Sequence, residues 1–202
     1  GFSQAQLVLM ATFGAAAGLI GAPLAAPLSR AIGKKEAAVL GYILGAAAEL
    51  TPYFARLAGV MPETGDPRVF CIVAGCNFVT MTCWSMTGVF LTALIADVVE
   101  DNAVKIGKRT EGLLFAADSL FKKIGSAGGP ALAGLILAAA HFPVGAKKGQ
   151  VDPAILNSLV WLYIPTLIGI YVVSISLMWA YNIDRKKHLD NLRILAERGE
   201  PI

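Results

Sequence analysis

Leu94-Ile95-Ala96-Asp97-Val98-Val99-Glu100-Asp101-Asn102-Ala103-Val104-Lys105-Ile106-Gly107-Lys108-Arg109-Thr110-Glu111-Gly112 separates two long apolar runs. Three carboxylates (Asp97, Glu100 and Asp101) sit at the end of one predicted helix. Three cations (Lys105, Lys108 and Arg109) follow, and Glu111 opens the next predicted helix. An anion in that first turn is favoured by the helix macrodipole, whereas anions at a helix C-terminus are disfavoured. Asp97 also shares a face with Glu100 and with Asp101, as like charges. This set therefore requires compensation, with Lys105 and Arg109 as local candidates and basic loops elsewhere as others. It suits either a breakable salt-bridge gate or a solvated polar loop.

The flanks point to a membrane. Hydrophobic residues make up 56% of the chain and charged residues 15%, against about 25% charged in soluble domains. Mean hydropathy is +0.64. The apolar runs reach the roughly 20 helical residues needed to cross a hydrocarbon core. The expectation is an all-α membrane protein with five spans, at about 6–28, 37–57, 69–98, 111–140 and 154–181. Residues 1–183 form this bundle and 184–202 a polar, basic tail able to form a short surface helix. The first residue is Gly1, not Met. A piece of a longer protein, truncated at its N-terminus, is expected.

Cations orient the bundle. If the five spans alternate, eleven Lys and Arg lie on one side and four (Arg56, Arg68, Lys147, Lys148) on the other. The richer side is then cytoplasmic and holds the tail. No metal-binding Cys/His spacing and no phosphate-binding glycine motif is present. Cys71, Cys76 and Cys83 share one apolar run and read as small buried hydrophobes. No nucleophile–base set converges, so an enzyme is not expected. Nor is a cofactor, a metal site or a nucleic-acid partner.

Three intramembrane constellations carry candidate chemistry. Asp118 with Lys122, and Ser119 with Lys123, are i,i+4 pairs on the fourth span. Ionisable groups at such depth suggest function by default. Lys122 can instead snorkel and pair with Asp118 structurally. Lys123, followed by a Gly-rich turn, can hold an anionic solute group or carboxylates of another helix. Glu49 lies about 18 Å into the second span, near the midplane, one turn before Pro52 and on a face with Tyr53 and Arg56. It reads as a proton or cation coupling group, or as a hydrogen bond to a neighbouring helix. Trp84 shares a stripe with Asn77, Thr80 and Thr87. It can stack on a sugar while the hydroxyls bind sugar oxygens, or it can be a packed core residue. Trp161, Tyr163, Trp179 and Tyr181, towards the two ends of the fifth span, read as interfacial belts.

The opening stretch has a recognisable form. Ala96-Asp97-Val98-Val99-Glu100 followed by Gly107-Lys108-Arg109-Thr110-Glu111-Gly112 resembles the pattern A-D-x-x-[DE]-x(6)-G-x-R-x-E-[GS]. That pattern marks the glycoside–pentoside–hexuronide:cation symporters, the melibiose-carrier-like branch of the major facilitator superfamily. Lys123-Ile124-Gly125-Ser126-Ala127 resembles the family's K-x-G-x-A segment. Glu100 stands where Asp is common, and the basic loop at Arg30, Gly33, Lys34 and Lys35 is degenerate. The resemblance implies two six-helix bundles with alternating access, of which these spans are the last five helices. It also implies that the coupling cation, Na⁺ or H⁺, is bound mainly by the N-terminal half. By resemblance, Lys123 approaches the cation and sugar region, with Ser119 one turn before it. Asp97, Glu100, Arg109 and Glu111 belong to a cytoplasmic gate.

The expected function is cation-coupled symport of a sugar or glycoside across the cell inner (plasma) membrane. The partners are lipid, the solute and the missing helices of the same protein. A lipid or lysolipid carrier of the same branch, or a non-transporting membrane subunit, are the alternatives.

Overall fold

A computed structural model describes residues 2–63, 65–108, 110–146 and 151–198. Arg109, Lys147 and Lys148 lie outside the described residues, as does the side chain of Arg185. The described chain is helical, with no strand: α1 (Gln4–Ile32), α2 (Lys34–Leu57), α3 (Pro67–Ile106), α4 (Glu111–Ala139), α5 (Pro153–Trp179) and α6 (Arg185–Glu197). The expected all-α membrane class holds, but the span count differs. Of these helices, α1, α2, α3 and α5 are long and apolar enough to cross a membrane. In α4, Lys122 and Lys123 leave an uncharged stretch, residues 124–139, short of the roughly 20 residues a span needs.

Local signals set the helix ends. Ser3 and Gln6 close a capping box on α1. Asp66, Asp152 and Asp184 each accept a backbone N–H at the start of α3, α5 and α6. Pro67 and Pro153 occupy the first helical position, where the missing N–H has no cost. α1 runs through Pro23 and Pro27 to Ile32. Only Gly33, at φ 98°, separates it from α2, so the expected eight-residue basic loop is almost wholly helix.

α3 organises the bundle, with α1 and α2 both laid along it. Small residues permit the approach. Ala17, Gly21 and Ala25 recur every fourth residue on α1 and are buried. A Cβ on Gly21 would run into the backbone carbonyl of Thr82 on α3. Ser85 Oγ donates to the Gly18 carbonyl at 2.8 Å, so this contact is hydrogen-bonded as well as close. On α2, Gly41 lies against the Thr87 hydroxyl and Gly45 against Cys83 and Trp84. Close backbone approach with interhelical hydrogen bonds is how membrane helices gain association energy where lipid supplies no hydrophobic drive. Ala25, Ala37, Ala38, Phe90, Leu94 and Met178 form the apolar core at the α6 end of the bundle.

α3 is 40 residues long, about 60 Å and roughly twice the hydrocarbon thickness. It ends at Gly107, whose left-handed backbone (φ 67°) sends its N–H to the Ala103 carbonyl. The expected end near residue 98 is therefore two turns early: Glu100, Asp101 and Lys105 stand on the same helix as Asp97. By contrast, α4 touches only α3 and α5, its neighbours in sequence, and none of its described residues is buried.

Candidate functional site

Two polar constellations occupy opposite ends of the bundle, and α3 contributes to both. The first surrounds Glu49 on α2. Tyr171 Oη on α5 donates to Glu49 Oε2 at 2.6 Å, and Tyr163 Oη donates to Oε1 at 3.3 Å. Trp84 Nε1 on α3 donates to Tyr171 Oη at 3.2 Å. Three helices thus converge on one carboxylate, and each of its oxygens receives a hydroxyl. Tyr53 packs on Tyr163 with ring centroids 5.1 Å apart. Glu49, Tyr53, Arg56, Asn77, Thr80 and Trp84 border a cavity of about 530 Å³. Trp84 lines this space and is 45% exposed, while its N–H is held by Tyr171. An aromatic face beside a few fixed polar groups is the usual make-up of a small-molecule pocket.

Several expected site residues are elsewhere. Thr87 is buried, donates to the Cys83 carbonyl at 2.8 Å and packs on Gly41. It is a helix-packing residue rather than a cavity hydroxyl. Thr80 is also buried against α2, although its residue borders the cavity. Asp118 and Lys122 form an i,i+4 ion pair at 2.6 Å on the open surface of α4, of the kind worth little in isolation. Ser119 and Lys123 are exposed. Lys123 borders neither described cavity, and no described hydrogen bond or ion pair joins it to Glu49. The physical reason is that α4 packs on nothing beyond its sequence neighbours, so its polar face meets no other helix here.

The second constellation gathers the carboxylates of α3. Asp97 is 4% exposed and Asp101 6%. Lys34 Nζ, at the start of α2, lies 2.6 Å from Asp97 Oδ1. Tyr181 Oη donates to Asp97 Oδ2 at 2.9 Å. Asp101 receives Lys105 at 2.6 Å, Lys187 at 3.2 Å and the Asn191 side-chain amide at 3.2 Å. His188 Nδ1 is 3.3 Å from Asp97 Oδ1 and 2.9 Å from Glu100 Oε2. Glu111 opens α4 in its first turn. The need for compensation was legible, but its cause differs. The macrodipole acts over the last turn, and the helix runs nine residues beyond Asp97. Burial is what makes these anions costly unless paired. Most of the partners come from α2 and from α6 and its approach; Lys105 is the local one. Tyr181 lies just past α5; its burial first, then its bond to Asp97, push the phenol well above the ordinary tyrosine range and keep it a donor.

Sequence reasoning missed Tyr163, Tyr171 and Tyr181 as hydrogen-bond donors, and His188, Lys187 and Asn191 as tail contacts. Tyr163 and Tyr181 had been read as belt aromatics. The available signal was that an intramembrane Glu49 requires donors on a neighbouring span, and Tyr163 and Tyr171 are the two long hydroxyl donors within the fifth helix.

These features describe a multi-pass helical membrane protein, with a polar cavity at one end and a buried ion-pair network at the other. The chain belongs to the MFS/sugar transport protein family, whose model matches residues 1–185. The family reading from residues 96–127 is borne out. A relative described as an uncharacterized symporter, YnaJ of Bacillus subtilis (strain 168), is 27% identical over 136 residues, covering 66% of this chain and 28% of the relative. The chain thus matches less than a third of that relative's length. No solved structure matches.

Proposed function

We propose that this chain is the C-terminal part of a cation-coupled symporter moving a sugar- or glycoside-type solute by alternating access. The observation carrying the reading is the Glu49–Tyr171–Trp84 relay on the wall of a cavity large enough for a small solute. Trp84 would stack on the apolar face of a sugar ring, while Asn77 and Arg56 would meet its hydroxyls. Glu49 would couple cation to solute, since its state sets the donors around it. The Asp97 network would close the opposite, cytoplasmic end, with the tail inside and the protein in the cell inner (plasma) membrane. Lys123, exposed on α4, would complete the site against the helices of the other half. The family match and the symporter relative support transport as the class.

The test is uptake of a panel of radiolabelled glycosides by the full-length protein in proteoliposomes, with imposed Na⁺ or H⁺ gradients. Trp84→Ala is expected to raise KM by at least tenfold and Trp84→Phe to recover most of it. Glu49→Gln is expected to abolish gradient-driven accumulation while leaving downhill exchange. Unchanged accumulation in both Glu49→Gln and Trp84→Ala would remove the cavity from the transport route.

A further inference from the structure

We propose that Asp97, Glu100 and His188 form a binding site for a divalent transition-metal ion of the zinc class, which staples the tail helix α6 to α3.

Asp97 and Glu100 are three residues apart on α3 and so share one face. His188 is placed over them by α6, which Asn191 and Leu195 bury against α3. One donor atom from each side chain falls within 4.8 Å of the other two. Zinc bonds imidazole nitrogen and carboxylate oxygen at about 2.0–2.2 Å, which makes the edge of a ligand tetrahedron about 3.3 Å. His188 Nδ1 stands 3.3 Å from Asp97 Oδ1 and 2.9 Å from Glu100 Oε2. These spacings suit three ligands around one small cation.

A second observation is independent of spacing. His188 Nδ1 and Glu100 Oε2 are both shielded from solvent, yet neither makes a hydrogen bond among the described residues. Buried polar atoms left in this way are rare and call for a partner. A cation lying between them satisfies both lone pairs at once. Tyr181 supplies outer-shell support: by donating to Asp97 Oδ2 it fixes the carboxylate and presents Oδ1 to the shared space. Asp97, Tyr181 and His188 also border a cavity of about 650 Å³, the side from which a cation would approach.

Lys34 competes for the site. Its ammonium lies 2.6 Å from the same Oδ1, and its side chain is 36% exposed, free to swing into the cavity. A metal ion would exchange the Lys34–Asp97 ion pair for a link from Asp97 to His188 on α6. This assignment does not depend on the solute or on transport.

The test uses the full-length protein, purified in detergent and stripped by chelator. Zn²⁺ binding is measured by competition with a chromophoric chelator, and Co²⁺ is added as a visible-absorption probe. The expected result is one tight equivalent of zinc and the intense cobalt bands of low-coordinate N/O ligation. His188→Gln and Glu100→Gln should each weaken binding at least about tenfold, while Asp118→Asn on α4 leaves it unchanged. Lys34→Met removes no ligand and should tighten binding. Zinc should also slow tryptic cleavage at Lys187. Failure of the wild type to retain zinc, or equal binding by His188→Gln and Glu100→Gln, overturns the site. Zinc bound no more tightly by folded Lys34→Met than by the wild type overturns the Asp97 ligand.

Discussion

Tyr171 donates its hydroxyl to Glu49 across the α2–α5 interface at 2.6 Å. Apart from this pair and the weaker bond from Tyr163, α5 offers Glu49 no described hydrogen bond. The carboxylate thus ties α2 to α5 beside the Tyr53–Tyr163 and Tyr42–Tyr171 ring contacts.

Tyr171→Phe removes that donor and also leaves the Trp84 indole N–H without its acceptor. Hydrogen bonds to charged groups contribute about 1.5–3 kcal/mol. A loss of that size is expected, read as a lowered thermal unfolding midpoint in detergent. Tyr163→Phe, whose bond is 3.3 Å, should cost less.

Lys34 and Asp97 should be energetically coupled. Removing one partner of a buried pair leaves an uncompensated charge, at a cost of up to about 3–5 kcal/mol. Tyr181 and His188 remain beside Asp97, so Lys34→Met should fall below that range. Asp97→Asn should recover part of the loss. A double-mutant cycle on unfolding is expected to return a coupling of about 0.5–3 kcal/mol; additivity would separate the two residues.

Gly21 and Gly18 should respond differently to a methyl group. At Gly21 the added carbon meets the Thr82 carbonyl and Ser85, whereas at Gly18 nothing lies within 4 Å. Gly21→Ala should destabilise the α1–α3 pair by about 1–3 kcal/mol, as overpacking does. Gly18→Ala should be neutral or slightly favourable. Paired unfolding curves in one detergent decide this.

Alkaline stability should depend on Tyr181. Its folded-state proton is held above the ordinary tyrosine range by burial and Asp97, while the unfolded chain releases it near pH 10. The native state then binds more protons above that pH, so this contribution, complete below pH 10, is lost as pH rises. Tyr181→Phe should flatten the alkaline limb of the stability profile and leave its neutral shape unchanged.

Much of the architecture was legible because membrane helices write themselves as long apolar runs. The ends of α2 and α5 were read to within a few residues. α3 was read short because Asp97, Glu100 and Asp101 look like loop chemistry. Their partners are Tyr181, Lys34 and α6, none of them adjacent in sequence, with Lys105 as the local one. Glu49 was visible as an intramembrane carboxylate, but its tyrosine partners lie more than a hundred residues away. Lys123 was legible as chemistry; which helix it faces depends on packing that α4 lacks here.

α3 has a mechanical consequence. α1, α2, α4 and α5 each contain an internal proline; α3 has Pro67 only at its first position. Prolines are where helices bend, so α3 is the stiff rod among them. Trp84 and Asp97 are thirteen residues apart on that rod, about 20 Å along its axis. A tilt that opens one end must swing the other, with no hinge between to absorb it. Cavity and ion-pair network are in this way two handles on one lever.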